Sequence, residues 1–456
     1  MKFTLLIGLF LAFSSNAFSN VLPTDSTTSV IDKANAVLLI EEGRTLFAQG
    51  KMKDALIKFR LASIKDPNSW KAPYWISQCH YTLNNYGYAL KYAQVATRQG
   101  AEKINDEVYF ILGTCHHRLG HLDSALTNYE MAMSTLPKRR SKELLIPLLM
   151  EEISFAEEAI SKNSSDYSRM RLQGRVNSGY DDYNVVLADG GKKMYFTSRR
   201  SNTTGGGMNP DDQRFFEDTY LSIFDSELRE WDDVSNEIGK INSDGFDALN
   251  YLSEDGLYGI MTMNTTALDI KMKKATKGSD ICELKMNNQG TWNTPKIIKN
   301  KTINTSYFEG SATLTADGNT MYFVSDRKGD ESSTDIYKVE KVGKAWGDAE
   351  VLPMTINSAG RETTPFITPD GRFLFYSSDG LTGMGGLDVY VVENKGGEWG
   401  SPVNLGAGIN TVNNDSHFVY AIESKTAYVS GYEIVGNKSS LDIYQLDMTN
   451  FSIPTE

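Results

Sequence analysis

The chain has 456 residues, of which 40% are hydrophobic, and its 46 basic and 58 acidic residues give a net charge of -12. This length predicts more than one domain, and the hydrophobic fraction excludes a disordered or collagen-like chain. An acidic surface repels phosphate backbones, so nucleic acid is disfavoured as a partner. Three cysteines are too few for a disulfide framework, and five histidines leave little for metal or acid–base chemistry.

The first residues have the pattern of a secretory signal. One lysine precedes an apolar run, 3–13, that is too short to span a bilayer, and the small residues at 17–19 fit a cleavage site. We therefore expect residues 1–19 to be removed, residues 20–32 to form a leader, and the mature protein to be exported. A buried N-terminal helix is the alternative. No cysteine follows the apolar run and no later stretch is apolar enough to span, so neither a lipid anchor nor a membrane span is expected.

Residues 36–137 contain a repeat of about 34 residues. The first copy carries Gly43, Ala55, Phe59, Ala62 and Pro67, and the third carries Gly113, Ala125, Tyr129, Ala132 and Pro137. The middle copy is less complete and carries Ser77, Ala89, Ala93 and Ala96. This pattern resembles the tetratricopeptide repeat (TPR), which implies three pairs of closely crossing helices. We assign residues 33–162 to this domain and predict that Ser141–Lys162 is one amphipathic helix, N-capped by Ser141, that covers the last apolar face.

The resemblance implies that the first helix of every repeat lines a concave face. By that register the facing residues are Ile40, Arg44, Phe47, Tyr74, Gln78, Tyr81, Phe110, Thr114 and His117. Grooves of this kind commonly bind peptides or partner helices. We predict a partner-binding groove here, and the alternative is that these side chains pack against the following domain.

Two Cys-His pairs, Cys79-His80 and Cys115-His116, occupy the same register in two repeats. Consecutive helical residues point about 100° apart, so one pair is poorly placed to chelate a metal. We therefore interpret both cysteines as small buried residues at helix crossings and expect no metal, cofactor or disulfide.

Residues 163–456 contain a second repeat, with a period of about 53 to 62 residues. One marker is Ile/Val-Asn-Ser/Thr, at 176–178, 241–243, 303–305, 356–358 and 409–411. Asp-Gly dipeptides at 189, 255, 317 and 370 predict hairpin turns, and Asp-x-Tyr/Cys segments begin at 218, 280, 335, 388 and 442. Trp231, Trp292, Trp346 and Trp399 then mark a fourth strand. Four strands in each of five repeats predict a five-bladed β-propeller.

These markers, with Ser325-Asp326-Arg327 followed by Asp335-Ile336-Tyr337 as the best copy, resemble the WD40-like repeats of TolB-type propellers. The fifth repeat ends without its fourth strand. Residues 170–177 match the ends of the other repeats, so we predict that this segment completes the fifth blade and closes the ring.

Two blades depart from the pattern. Blade one carries an insertion at 201–216, and blade two has 263–279 in place of the Ser-Asp-Arg segment. Such loops are common binding sites, although a neutral surface insertion is the alternative.

Catalytic motifs are scarce, because the propeller region has one histidine, His417, with no G-x-S-x-G and no P-loop. A carboxylate pair near the axis would still suit a glycosidase. We expect a chain that is not an enzyme.

Charge divides between the two regions. Residues 33–162 carry 17 basic and 14 acidic residues, whereas 163–456 has a net charge of -14. A basic protein surface is therefore the expected partner of the propeller.

The order of the two arrays resembles PorE-like periplasmic proteins of the type IX secretion and gliding machinery of Gram-negative bacteria. Those proteins usually carry an OmpA-like peptidoglycan-binding domain and a lipidated cysteine, and neither pattern is present in this sequence. The resemblance implies an exported, non-enzymatic scaffold for protein–protein interactions in the cell envelope, periplasmic and held at the outer membrane through a partner. A propeller that binds or hydrolyses a glycan or a peptide is the alternative.

Overall fold

The computed structural model describes residues 28–100, 107–162, 169–209, 212, 214–264, 278–328, 333–435 and 437–454. The expected signal peptide lies outside the described residues, as does most of the leader. Within the described ranges no helix combines the length and apolar character that a membrane crossing requires.

The N-terminal part of the described chain is helical. Its elements are α1 (Val30–Ala48), α2 (Met52–Lys65), α3 (Lys71–Thr82), α4 (Tyr86–Gly100), α5 (Glu107–Arg118), α6 (Leu122–Thr135), α7 (Lys138–Glu143) and α8 (Ile146–Lys162). Helices α1 to α6 form three successive pairs, and α8 packs on α6. This order confirms a TPR-like helical region.

The marker residues of the repeat lie where the two helices of a pair cross. A Cβ atom at Gly43 would lie 2.5 Å from the Phe59 ring, and one at Gly113 would lie 2.5 Å from the Tyr129 ring. In the middle pair the Ser77 hydroxyl instead donates to the Ala89 carbonyl (2.9 Å). The small residues at these positions therefore allow the two helices of a pair to pack closely, with an aromatic ring or the serine hydroxyl occupying the space between them.

The single closing helix predicted for 141–162 is wrong, because the chain forms two helices there. Leu145 has φ of +53° and separates α7 from α8. Ser141 lies inside α7 rather than at an N-cap, and its hydroxyl donates to the Pro137 carbonyl (3.4 Å). Pro147 falls in the first turn of α8, where its missing N–H leaves no intrahelical bond unmade.

The remainder of the described chain forms five antiparallel sheets, which are the predicted five blades. Blade one has β2 (Asp182–Ala188), β3 (Lys193–Ser198), β4 (Asp218–Asp225) and β5 (Glu230–Ser235). Blade two has β6 (Phe246–Leu252), β7 (Tyr258–Asn264), β8 (Asp280–Lys285) and β9 (Lys296–Ile297). Blade three has β10 (Glu309–Leu314), β11 (Thr320–Ser325), β12 (Asp335–Val342), β13 (Ala345–Trp346) and β14 (Glu350–Val351). Blade four has β15 (Glu362–Ile367), β16 (Phe373–Ser378), β17 (Asp388–Lys395), β18 (Glu398–Trp399) and β19 (Val403–Asn404).

Blade five is closed by a strand from the other end of the propeller region. It contains β20 (Asp415–Ala421), β21 (Thr426–Val435), β22 (Lys438–Asp447) and, beside β22, β1 (Arg169–Arg171). Arg169 lies opposite Leu446 and Arg171 opposite Tyr444 in this antiparallel pair. The predicted closure of the ring is confirmed.

A recurrent asparagine ties the third strand of each blade to the segment that follows the blade. The Thr219 N–H on β4 donates to Asn242 Oδ1 (2.8 Å), and Asn242 Nδ2 donates to the Thr219 carbonyl (2.9 Å). The same reciprocal pair joins Ile281 to Asn304, Ile336 to Asn357, Val389 to Asn410 and Ile443 to Asn177. We call this pair the asparagine latch; it gives a buried stretch of backbone the partners that a neighbouring strand would otherwise supply.

The residue after each asparagine continues the connection into the next blade. Ser178 donates its N–H (2.6 Å) and its hydroxyl (2.7 Å) to the carboxylate of Asp182, the first residue of β2. The same contacts join Ser243 to Asp247, Thr305 to Glu309, Ser358 to Glu362 and Thr411 to Asp415. We call Asp182, Asp247, Glu309, Glu362 and Asp415 the ring acids; the side chain of each is fully buried.

The fourth strands are less regular than the tryptophan marker predicts. Trp231 lies on β5, but Trp292 forms only isolated bridges, to Gly239 and Met286, and β9 comes after it. In blades three and four the third strand pairs with two short segments in succession rather than with one strand.

The latch that closes the ring gives a direct test of this account. Asn177→Ala would leave the buried Ile443 N–H without its 2.8 Å acceptor, while the Ile443 carbonyl would keep only the Leu172 N–H (3.0 Å). We expect a loss of about 1–3 kcal/mol in the free energy of unfolding of the propeller, measured by denaturant titration. Asn293→Ala, at an exposed position, is the matched control and should change this free energy little. Equal effects of the two substitutions would contradict a structural role for the latch.

Candidate functional site

The predicted groove begins on α1. Arg44 is exposed there, forms an ion pair with Glu41 (3.0 Å) and lies over the ring of Trp75, 5.3 Å from its centroid. Phe47 is half-buried and meets the same ring edge-on, with 5.5 Å between centroids. Ile40 belongs instead to the buried core of the first repeat. The first repeat therefore offers a cation beside aromatic rings at its surface.

The α3 residues of the groove are held more tightly. Tyr74 is buried, its hydroxyl donates to Glu107 Oε2 (3.4 Å), and Gln78 Nε2 donates to the Tyr74 oxygen (2.8 Å). Burial, helped by the Glu107 charge, raises the pKa of Tyr74 to about 12, so this phenol stays protonated. Tyr81 is half-buried with its ring 6.1 Å from that of Tyr86. Gln78 remains partly accessible.

The α5 residues lead into the propeller. Phe110 is half-buried, and the Thr114 hydroxyl donates to the Phe110 carbonyl (3.1 Å). His117 is fully buried, and its Nε2 donates to the Met384 carbonyl of blade four (3.0 Å). Burial lowers the pKa of His117 to about 3, so the ring is neutral. The alternative interpretation, packing against the following domain, applies to His117; partner binding by the other groove residues stays a prediction.

Other positions on the helical domain also contact the propeller. Arg118 Nη1 donates to the Val412 carbonyl (2.8 Å). In the turn after α3, Asn84 Nδ2 donates to the Tyr432 hydroxyl (2.9 Å), and the Asn84 carbonyl accepts from the Ser439 hydroxyl. These contacts lie at the edge of the propeller where the second strands end and the third strands begin. The Leu83 carbonyl also accepts from Arg214 Nη2 of blade one (3.4 Å). Directional polar contacts at four positions therefore fix how the helical domain sits on that edge.

The glycine-rich segment 383–386, which lacks the lysine of a P-loop, lies in this interface. A Cβ atom at Gly385 would lie 2.6 Å from Arg118 Nη1, and one at Gly386 would lie 3.4 Å from the same atom. The absence of side chains at these two positions allows the guanidinium to approach the main chain of blade four. Domain packing therefore explains this segment.

A buried carboxylate, Glu152 on α8, lies close to the same interface. Its Oε2 has no hydrogen-bond partner among the described residues. Burial raises the pKa of Glu152 to about 7; Arg118 opposes this shift, and Asp379 of the propeller adds to it. Across the interface, burial and the nearby Asp415 hold the pKa of Asp388 well above its usual range, and Glu152 contributes to that shift. The interface therefore brings acidic groups of both domains near one guanidinium.

The propeller axis is narrow and lined by uncharged groups. Asn184, Asn250, Ser311, Thr364 and His417 face a cavity of about 30 Å³, which has room for one or two water molecules. Burial lowers the pKa of His417 to about 3. No carboxylate lies among the described residues that line this cavity.

A wider cavity of about 660 Å³ opens on the propeller edge that carries the helical domain. Its walls include Tyr307, Phe308, Asp326, Arg361 and Leu387. Tyr307 is 44% exposed, and the Arg361 guanidinium pairs with Asp379 (2.7 Å). This cavity combines apolar surface with one residue of each charge, a composition suited to a peptide segment or a sugar.

The cysteines of the two Cys-His pairs are buried, as interpreted from the sequence. Cys79 and Cys115 are both free thiols with no exposed surface. Burial raises the pKa of Cys79 to about 12, which leaves the thiol protonated. His80 stacks between the rings of Tyr88 and Tyr92. In the described ranges no group of three or more histidine, cysteine or acidic side chains has a metal-binding arrangement.

Comparisons with known proteins place the helical part near TPR structures. No protein-family model matches the chain, and no curated protein matches it. The first TPR domain of human RPAP3 is 21% identical, with 29% of this chain and 98% of that chain covered and a TM-score of 0.26. The Yersinia enterocolitica type III secretion chaperone SycD, in complex with a peptide of the translocator YopD, is 17% identical, with 28% and 99% covered and a TM-score of 0.26. YrrB, a TPR protein with an unusual peptide-binding site, is 20% identical, with 28% and 62% covered and a TM-score of 0.25. These likenesses concern the fold alone.

Sequence reasoning did not single out Arg118, Asn84 or Glu152. Glu152 could have been found from the sequence, because it lies on the apolar side of the amphipathic helix α8, where a glutamate is unusual. Arg118 and Asn84 make their contacts with residues about 300 positions away, and no local pattern marks them.

Glu152 gives a prediction for the pH dependence of stability. Its pKa is raised in the folded state, so folding favours the protonated form. Its contribution is present at low pH and is lost as the pH rises from about 4.5 to about 7. We expect Glu152→Gln to be more stable than the native chain at pH 8, by about 1–3 kcal/mol, and to differ little at pH 4.5. Thermal or denaturant unfolding at both pH values measures this.

Glu151→Gln, one residue away at an exposed position, is the control and should follow the native pH profile. A Glu152→Gln profile parallel to that of the native chain would contradict the burial of a titrating carboxylate here.

Proposed function

We propose that this protein is an exported, non-enzymatic scaffold that binds protein partners in the cell envelope. The observation that carries the proposal is the way the helical repeats are mounted. Their C-terminal end is held on the propeller through His117 and Arg118, whereas Arg44, Phe47 and Gln78 at the other end keep accessible surface. A rigid base with an accessible helical groove is suited to the binding of peptides or partner helices.

Several features support the finer parts of this proposal. The apolar N-terminal segment supports export, and the order of TPR-like repeats and propeller supports a place in an outer-membrane-associated secretion or gliding complex, as in PorE-like proteins. The uncharged lining of the narrow axis favours a scaffold over a glycosidase, since the ring acids bond to the serine or threonine four residues before them. Two solved TPR structures with a similar fold are described as peptide-bound or peptide-binding, which agrees with a groove for peptides.

The second candidate function is the binding of a glycan or a peptide by the propeller itself. The 660 Å³ cavity favours it, because an exposed tyrosine ring, Tyr307, lies in its wall together with Asp326 and Arg361.

The groove proposal is tested with a double substitution at one exposed and one partly accessible groove position. Arg44→Glu with Gln78→Ala changes one charge and one amide without removing a buried residue, so the fold should be retained. We expect proteins captured from envelope extracts by the native chain to be lost with this variant, as measured by quantitative mass spectrometry. The matched control is Arg60→Glu with Asn128→Ala, on the exposed sides of α2 and α6, and it should capture the native set. Capture of the same set by both variants would reject the groove.

Export is tested separately. We expect the mature protein to begin after residue 19, as determined from the mass of the purified protein and its N-terminal peptide. Leu6→Arg places a charge in the apolar run and should leave the full-length precursor inside the cell. An unprocessed chain with residues 1–19 intact outside the cytoplasm would contradict removal of a signal peptide.

A further inference from the structure

Arginine side chains fill the same position in three blades, next to the ring acid. In blade one, Arg200 contacts Asp182 (3.0 Å between Nη2 and Oδ1) and donates to the Val176 carbonyl. Its guanidinium lies over the ring of Tyr220, 5.3 Å from the centroid. Carboxylate, carbonyl and aromatic ring together form a guanidinium site.

Blade three repeats this site with different residues. Arg327 contacts Glu309 (3.4 Å), donates to the Ile303 carbonyl (2.9 Å) and lies 4.4 Å from the centroid of Tyr337. In both blades the arginine follows the second strand of its own blade, two residues after the strand ends.

Blade five fills the site from elsewhere in the chain. Arg169, on the closing strand β1, contacts Asp415 (2.7 Å), donates to the Ile409 carbonyl (2.5 Å) and lies 4.4 Å from the centroid of Tyr444. The site therefore accepts a guanidinium carried by a different segment. In blade four the Tyr376 hydroxyl takes the equivalent carbonyl, that of Ile356 (3.3 Å), and no arginine is required.

Blade two has the ring acid, but it lacks the stacking tyrosine, and no arginine among the described residues contacts its ring acid. Met263 lies opposite Asp247, where Ser198 lies opposite Asp182 in blade one. Cys282 takes the place of the stacking tyrosine. The Asp247 side chain is fully buried, and its Oδ1 has no hydrogen-bond partner in the described part of the chain. Burial raises the pKa of Asp247 to about 7, whereas two Ser243 hydrogen bonds lower it.

The first aspartate of the third strand is also without a partner in this blade. The carboxylates of Asp218, Asp335, Asp388 and Asp442 all accept hydrogen bonds or form ion pairs. Asp280, their counterpart on β8, makes no side-chain hydrogen bond or ion pair within the described residues, and burial raises its pKa. In blade two, one oxygen of Asp247 and the whole Asp280 carboxylate thus lack described partners, whereas in blade four only one oxygen of Asp388 does.

A cavity of about 380 Å³ lies beside these groups; we call it the blade-two cavity. Its walls include Ser243, Met263, Asp280 and Cys282, with Lys240 and Ile297 at the exposed rim. Ser243 donates its hydroxyl to Asp247 (2.8 Å), so the cavity is separated from the ring acid by one side chain. Met263 lies opposite Asp247 and lines the cavity, so we expect a guest that reaches Asp247 to displace this flexible side chain.

We propose that the blade-two cavity receives an arginine side chain of a partner protein. The guanidinium fork matches a carboxylate and a main-chain carbonyl at once, which is how the three filled sites use it. The net charge of -14 on residues 163–456 favours a cationic guest over an anionic one. The proposal rests on the proposed role in protein binding but concerns a surface separate from the groove.

The competing guest is a lysine of this chain. Lys271, Lys273, Lys274 and Lys277 lie between β7 and β8 in the sequence. The test therefore separates an external arginine from an internal lysine.

The probe is Nα-acetyl-L-arginine amide, titrated into the full chain with 13C-methyl-labelled methionine. Nα-acetyl-L-citrulline amide has nearly the same shape without the charge and is the control compound. The Met263 methyl resonance, assigned with Met263→Leu, is the readout. We expect a saturable shift with the arginine compound, with a dissociation constant on the order of 1 mM, and no saturable shift with citrulline. Equal shifts with both compounds would overturn the proposal.

Three sets of variants complete the test. Asp280→Asn and Asp247→Asn should each weaken binding of the arginine compound about tenfold. The control Glu254→Gln, which removes an exposed charge of the same blade, should leave binding unchanged. Unchanged binding in both aspartate variants would overturn the site. Replacement of the four lysines by glutamine should leave the Met263 methyl resonance unchanged. If this resonance shifts and the arginine compound binds about tenfold more tightly, an internal lysine occupies the cavity and the partner proposal is overturned.

The groove variant Arg44→Glu with Gln78→Ala should bind the arginine compound normally, so failure of the groove and failure of this site are distinguishable. Loss from the Asp280→Asn capture set of a protein that the groove variant retains would support the partner. Capture of the native set by Asp280→Asn would show that the partners do not use the cavity.

Discussion

The asparagine latch is the interaction on which the propeller depends. Each third strand presents a backbone N–H that finds no acceptor on the short fourth strand, beside a carbonyl that has room for a second donor, and unpaired buried backbone groups are costly. A side-chain amide meets both needs, since it carries one acceptor and one donor side by side. The next residue caps the ring acid of the following blade, so one dipeptide joins two blades. In the last blade Asn177 makes the same pair with Ile443, which lies 266 positions away, and the ring is closed.

The same need for backbone partners shapes the contact between the domains. The connections at this edge present main-chain carbonyls, and His117 donates to Met384, which precedes the third strand of blade four, while Arg118 donates to Val412, which precedes the first strand of blade five. The helical domain thus becomes part of the structure of blades four and five. Of the predicted groove residues, His117 is buried at that end and Arg44 is exposed at the other, and the carboxylate of Glu152 is buried near the same contact.

A blade that lacks the arginine beside its ring acid can have a carboxylate oxygen that remains free to bind another group. A ring acid with an arginine beside it is an internal ion pair that maintains the blade. The same acid without the arginine is a buried carboxylate that favours protonation or a cationic guest. Blade two differs from its neighbours in this respect although its strands and its asparagine latch are intact, so the difference lies in side-chain chemistry rather than in fold.

The sequence by itself determined the two repeat arrays, the five blades and the closing segment, because the residues that build them act over short distances: an asparagine, the next hydroxyl and an acid four residues later. The helix crossings could also be predicted from the sequence, because Gly43 packs against the Phe59 ring and Gly113 against the Tyr129 ring. Only the tertiary structure decided that α7 and α8 separate at Leu145, that His117 is buried against Met384, 267 positions away, and that Asp247 Oδ1 in blade two lacks a described partner. These outcomes depend on which distant backbone groups and side chains meet, and no local pattern of residues encodes such a meeting.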